Sequence, residues 1–522
     1  MPLVGLLAVI FWPQARQQQI KWVALFTAAV TFGLSLVLLA SFDTRMAGPQ
    51  HEHVQAWLAF GKFKIAYDVA VDGISILLVM LTTIIMPLAI LFSLENIKEK
   101  IRLYYGFMMI IEFAMIGVFV AQDLFLFYVF WEVSLVPMYF LIGIWGSENR
   151  IFAALKFFIY TTVGSLLMLL AILYVGNHFG SFNIAYIVQQ VQDAATKGIA
   201  LYPSSFVEAL LFGAFFLAFA IKVPIWPLHS WLPDAHVQAP TAGSVILAGV
   251  MLKLGTYGLL RFCIPFFPHA AVAFAPFISV LAVIGILYGA WVSFAQTDIK
   301  KLVAYSSISH LGFVVLGLFS LTAAGMSGAV LQMVNHGIST GGLFLLIGML
   351  YERRHTKAME AFGGLWKVMP IFSGLSLVIF LSSMGLPGLN GFVGEFTILL
   401  GTFGSPLLGG VFAVFATIGV ILAAVYLLQL WNNIFMGEVK WQENLHLPPI
   451  RWSEYTALAI VVILALIIGL YPKPFFGAMD ATTGQVSAQA QRYIAQPVSV
   501  QAAQAPAAQV PIAQAPTAQE TK

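Results

Sequence analysis

The chain holds 522 residues, 60% of them apolar and 9% charged, with a formal net charge of +3. A soluble domain carries about 25% charged residues, so this composition cannot cover a water-facing surface of that size. It excludes a soluble enzyme, a secreted disulfide scaffold and a disordered chain. About 313 apolar residues suffice for roughly 14 to 15 crossings at ~20 residues each. The long unbroken apolar runs also exclude a β-barrel, whose strands read as short alternating segments.

The first segment, MPLVGLLAVIFW, lacks the basic start of a cleaved signal and reads as a short membrane span. Apolar runs then place about fourteen spans, near 1–13, 21–41, 71–94, 103–121, 122–146, 155–176, 206–228, 241–264, 271–294, 299–321, 327–350, 369–400, 408–436 and 454–472. Fifteen Lys and Arg fall in loops after odd-numbered spans and seven on the opposite side. The odd loops therefore face the cytoplasm of a bacterial inner membrane, and both termini face the periplasm. The expected organisation is three leading helices (1–100), a five-helix unit (101–265), a second unit (266–440) and a last helix (441–476). A disordered tail rich in Ala, Gln and Pro is expected over 477–522.

Two spans are interrupted alike. Span 7 ends in AIKVPIWPLHSWLPDAH and span 12 contains MGLPGLNGFVGEF. Such breaks release backbone groups that lipid cannot satisfy, so they persist only inside protein or beside water. Each lies in the fourth helix of a five-helix run, and the two runs start on opposite sides. The fold class expected is thus an all-α polytopic membrane protein with two inverted five-helix repeats.

An ionisable residue at membrane depth costs at least ~2.5–3.5 kcal/mol on insertion scales. Four such residues stand out: Glu132 in span 5, Lys222 beside the break of span 7, Lys253 in span 8 and Glu395 past the break of span 12. Buried ion pairs locking helices together are one reading. A proton relay is the other, because a Lys beside a broken helix meets water and half-helix dipoles, and a carboxylate that approaches or leaves changes its hold on a proton. His310 and His336 fall between Lys253 and Glu395 in sequence order and suit a shuttle, since an imidazole has two exchangeable nitrogens. His229 and His236, after the first break, are candidates for proton uptake. With Asp234 they supply no complete metal-ligand set.

Cys263 is the only cysteine, so the chain has no intrachain disulfide and no cysteine-held iron–sulfur cluster. The basic residues form no nucleic-acid patch. There is no P-loop, dinucleotide fingerprint or nucleophile elbow.

The stretches FYVFWEVSLVPMYFLIG, AFAIKVPIWPLHSWLPDAHVQAPTAGSVILAGVMLKLGTYG, TDIKKLVAYSSISHLGF and GLPGLNGFVGEF resemble the antiporter-like membrane subunits of respiratory complex I. The resemblance covers spans 3–14. Glu395 departs from the Lys that chains L and N of that complex carry in the broken span 12, and places the chain with the branch that has Glu there. The resemblance implies a proton-translocating unit of NADH:quinone oxidoreductase, with Glu132, Lys222, Lys253 and Glu395 as inward-facing functional residues and His310 and His336 as their link. It implies no cofactor in this chain, with FMN, iron–sulfur clusters and quinone held by other subunits, and neighbours such as chains L and N. A subunit of a multisubunit cation/proton antiporter or of a membrane-bound hydrogenase is the alternative, since those families share the relay residues.

Overall fold

Hydrocarbon offers a backbone no hydrogen-bond partner, so a chain of this composition closes its N–H and C=O groups within helices. The computed structural model describes residues 1–495 apart from Gln14, Gly61 and Lys62. The chain begins with α1 (Pro2–Phe11), α2 (Gln17–Ala40) and a hairpin of β1 (Gln50–Phe60) and β2 (Phe63–Val71). Next come α3 (Ser75–Asn96), α4 (Ile101–Val120), α5 (Leu124–Trp145), α6 (Arg150–Phe179) and α7 (Ile184–Lys197). The first broken span follows as α8 (Ser205–Lys222) and α9 (Trp231–Gln238), then α10 (Thr241–Phe266), α11 (Pro268–Phe294), α12 (Ile299–Phe319) and α13 (Ala323–Arg354). The second broken span is α14 (Pro370–Ser383) and α15 (Asn390–Phe403), and the chain closes with α16 (Gly410–Phe435), α17 (Trp452–Leu470) and α18 (Lys473–Ala495).

Among the described residues, twelve helices are long and apolar enough to cross a membrane. Two expected spans are not among them. The first is the 10-residue α1, about 15 Å long and half the hydrocarbon thickness. The other is divided into α14 and α15, each 14 residues. At the centre lie α10 and α13, whose apolar stretches are wholly buried; α2, α16 and α17 present wide lipid-facing sides.

Three expectations need correction. The chain is not purely helical: β1 and β2 pair antiparallel, with Gln50 opposite Val71 and Ala56 opposite Ala66. The tail expected to be disordered from 477 is helical to Ala495, and 496–522 lie outside the described residues. Its Ala and Gln are good helix formers, and its small residues Ala478, Thr482, Thr483, Ser487 and Ala490 are buried against the bundle. Thr482 Oγ1 accepts from Gly73 N at 3.3 Å and donates to Ala47 O at 3.1 Å, and Ser487 donates to Leu321 O at 3.1 Å. Third, α10 is not a uniform α-helix. It contains π turns at Leu247–Met251 and Leu259–Cys263, one on each side of Lys253.

The hairpin, the α4–α5 corner and the start of α7 are sewn together on one face. Asp123 caps α5 by accepting from Phe125 N and Leu126 N at 2.9 and 3.0 Å, and its other oxygen accepts from Ala66 N at 3.2 Å. Asn183 caps α7 and donates to Asp68 Oδ2 at 2.8 Å. These loops follow even-numbered spans, so their mutual contacts agree with the alternation read from the sequence.

Arg261 of α10 anchors this face to the core. It pairs with buried Asp72 and donates to Gln122 Oε1 at 3.2 Å. Removing one partner of a buried pair strands the other charge, at a cost of about 3–5 kcal/mol. Arg261→Met should therefore lower the unfolding temperature of the purified protein strongly. Adding Asp72→Asn should restore part of it, and a double variant as unstable as the single one would show that the pair is not the anchor.

Candidate functional site

Both breaks are satisfied by side chains. At the first, α8 ends at Lys222, and the Trp231 indole donates to Ile221 O at 2.8 Å, taking a carbonyl the helix no longer uses. Lys156 of α6 holds the returning segment by donating to Ser230 O at 2.9 Å and to Asp234 Oδ2 at 2.7 Å. At the second, Asn335 donates to Asn390 O at 2.6 Å and Ser382 to Asn390 Oδ1 at 2.5 Å. Gly385 turns the chain there with φ of +77°, a region that favours glycine. A Cβ at Gly385 would stand 3.1 Å from Glu395 Oε2, so the turn also leaves room for that carboxylate.

Four of the predicted residues form a line. Lys253 Nζ donates to Ala248 O inside the first π turn and to His336 Nδ1 at 2.7 Å. A carbonyl displaced from the regular ladder thus becomes a ligand for the ammonium. His336 and His310 face each other with ring centroids 6.1 Å apart. His310 Nδ1 lies 2.7 Å from Glu395 Oε1. Tyr426 of α16 reaches His310 Nε2 at 3.2 Å, and Gln332 donates to Glu395 Oε1 at 3.0 Å. His310 thus meets a carboxylate at Nδ1 and a phenol at Nε2. Among the described residues His336 Nε2 has no partner, and neither has Glu395 Oε2. Each of these groups is at least 96% buried.

Lys222 and Glu132 are near this line but not directly paired. Lys222 is 1% exposed, with Nζ 5.2 Å from the Trp131 ring centroid and 5.7 Å from that of Phe157. Two aromatic faces stabilise a desolvated cation by about 2 kcal/mol or more. Among the described residues no direct ion pair joins Glu132 to Lys222, and Glu132 Oε1 is buried without a partner. Lys222 meets α10 at its closest approach: a Cβ on Gly255 would stand 3.1 Å from Lys222 Cβ and 2.9 Å from Phe219 O. Only glycine there lets the helices bearing Lys222 and Lys253 pack this tightly.

His229 and His236, the candidates for proton uptake, are both buried. His229 is 7% exposed, edge-on to Tyr288, with Nδ1 unpartnered. His236 is fully buried and stacked on Phe344 at 4.5 Å, and both of its ring nitrogens lack a partner. Lys253 and Lys300 are both within electrostatic reach of it. Lys300 donates to Ala239 O at 2.6 Å and lines a cavity of about 210 Å³ with Ser93, Tyr104, Thr241 and Lys357. Burial holds the Lys357 ammonium below its ordinary range, against the opposing pull of Asp298 and Glu148. The cavity lies at the N-terminal ends of α10 and α12.

The residue-type search missed several participants. Gln332 precedes His336 by one helical turn, so QMVNHG carried a signal for it; Tyr426 and Lys300 join only through tertiary packing. A fifth ionisable residue inside an apolar span, Glu112 in α4, has no exposure and, among the described residues, no partner for either oxygen. An Asp or Glu inside an apolar run was the signal, and it was legible.

Residues 121–421 match the family described as NADH:quinone oxidoreductase/Mrp antiporter, TM. That range contains every relay candidate from Glu132 to Glu395. The chain is 44% identical over 460 residues to NADH-quinone oxidoreductase subunit M of Rhodobacter capsulatus, covering 88% of both chains. It is 41% identical over 477 residues to the subunit M of Rickettsia conorii, covering 90% of this chain and 94% of that one. A chain of respiratory complex I from Thermus thermophilus with bound NADH superposes with a TM-score of 0.83 at 30% identity, covering 94% of this chain and 98% of that chain.

The hydrogen-bond pattern sets an order of stability losses. Gln332→Leu removes a donor from a buried carboxylate and should cost about 1.5–3 kcal/mol; Tyr426→Phe removes one from a buried imidazole and should cost about 0.5–1.5 kcal/mol. Denaturant titration of the purified protein measures both. The reverse order would mean that Gln332 does not hold Glu395.

Proposed function

Because the chain belongs to the NADH:quinone oxidoreductase/Mrp antiporter transmembrane family, we propose that it is a proton-translocating membrane-arm subunit of respiratory complex I. The observation that carries the proposal is the buried line from Lys253 through His336 and His310 to Glu395. Two hydrogen-bonded pairs face each other through imidazole rings whose centroids are 6.1 Å apart, between a helix with π turns and a helix with a break.

In this reading the chain holds no redox centre. Electron transfer, with FMN, iron–sulfur clusters and quinone, belongs to other subunits of a complex in the bacterial inner membrane, with chains L and N as neighbours. Both described termini face the periplasm. Helices α4, α5, α6, α8/α9 and α10 form one five-helix unit, and α11, α12, α13, α14/α15 and α16 its inverted counterpart.

Protons arrive from the cytoplasm by the cavity at Lys300 and by the polar segment of His229, reaching His236, Lys253 and Lys222 through water. Lys222 holds a proton against aromatic faces, and the Glu132 charge, not in contact with it, sets how firmly. Lys253 passes a proton to His336 Nδ1 as His336 releases one from Nε2. His310 takes it on Nε2 and surrenders its Nδ1 proton to Glu395. Glu395 Oε2, facing the space left by Gly385, is the release point. The family description also covers Mrp antiporters, in which the same relay would exchange a cation for protons; co-purification with redox subunits distinguishes the two.

Proton pumping by the assembled complex in sealed vesicles tests the roles. Lys222→Ala should assemble and lose most of its pumping and coupled oxidoreductase rate, by tenfold or more. Glu132→Gln should be similarly damaging while Glu132→Asp keeps part of the activity; equal behaviour of the two would remove charge as the working property. At the far end, Glu395→Gln should stop exchange, whereas Glu395→Lys should keep some function, because an ammonium still carries a proton into the space beside Gly385. Normal pumping by Gln with failed assembly of Lys would make Glu395 a strut.

A further inference from the structure

The surface between α1 and α4 carries a groove of about 520 Å³ that the relay does not use. Its walls are Leu6 and Ile10 of α1, Ile20 of α2, and Leu103, Phe107 and Ile110 of α4. Gly106 lowers one wall, since a Cβ there would touch nothing nearer than Leu6 at 3.7 Å. From Ile101 to Ile110 the groove runs about 14 Å along α4, roughly the depth of one leaflet. Its cytoplasmic-side mouth is lined by Lys100 and Arg102.

The charges at that mouth are uncompensated. Arg102 spends one nitrogen on Trp12 O, at 2.5 Å, and its Nε has no partner. Among the described residues neither Arg102 nor Lys100 is paired with a carboxylate; Glu95, the nearby acid that is paired, is taken by Arg451 at 2.6 Å. Glu99 lies in the same turn without forming an ion pair. Helix α4 starts here with no side-chain cap and no acid in its first turn. Lys100 adopts φ of +49°, where glycine would be less strained, so a cation is kept at a position that disfavours any side chain.

We infer that this groove is a binding site for an anionic phospholipid of the cytoplasmic leaflet: its acyl chain lies along Gly106 and its phosphate meets Lys100, Arg102 and the first N–H groups of α4. The match is in two dimensions at once, an apolar channel one leaflet deep and unpaired positive charge at headgroup level. Basic pockets between membrane helices on the cytoplasmic side recognise such headgroups.

The test uses the complex as purified from membranes, exchanged into mixed micelles of phosphatidylglycerol and phosphatidylcholine, then stripped and assayed for retained lipid by mass spectrometry. Wild type should keep phosphatidylglycerol in preference to phosphatidylcholine. Lys100→Gln, which disturbs no hydrogen bond, should weaken that preference about fivefold. Gly106→Leu, which fills the channel and leaves both cations, should abolish retention at this site without affecting assembly. Equal retention of the two lipids by wild type, or no response to either variant, would overturn the site. So would a cross-link from a cysteine at Ile10 or Leu103 to another subunit, which would show a protein helix in the groove.

Discussion

Inside a bilayer every polar atom must be answered from within the protein or by a trapped water, and this requirement shapes the centre of the molecule. It explains why side chains around the first broken span meet freed backbone groups: Trp231 on Ile221 O and Lys300 on Ala239 O. The same requirement locates water. His236 with two unpartnered nitrogens, His336 with an unpartnered Nε2 and Glu395 with an unpartnered Oε2 are, among the described residues, the buried polar atoms along this line that no protein group answers.

The tight buried ion pairs are kept away from the central line of Lys253, His336, His310 and Glu395. A tight buried ion pair is difficult to open, because parting it leaves two uncompensated ions. Arg261–Asp72 and Arg353–Glu454 are of that kind and sit at the two faces of the bundle, where they hold helix ends. The central groups instead meet imidazole, amide, hydroxyl and aromatic partners. Such partners stabilise a proton in more than one place, which is what transfer along the line needs.

Much of this was legible in the sequence. The spans followed from apolar runs, both breaks from Pro and Gly, and the four central charges from their presence in lipid-facing composition. What escaped had other physics. The hairpin 50–71 interleaves charges with its apolar residues, so no long apolar run marks it, and its Asp68 meets Gln122 and Asn183 far along the chain. Helix α18 buries small residues instead of large ones, so no apolar stripe announced it. The π turns of α10 occur in LAGVMLKLGTYGLLRFC, whose residues fit an ordinary helix. Tyr426 joins the line only because α16 packs beside His310, which no spacing in the sequence announces.

The paired π turns have a mechanical meaning. Each holds one residue more than an α turn needs, and the segment Leu252–Gly258 is suspended between them. A π turn and an α turn differ by one residue, which is about 100° of rotation and about 1.5 Å of rise. The two turns are therefore the places where the ladder of α10 departs from its regular pitch, and the segment between them carries the ammonium of Lys253.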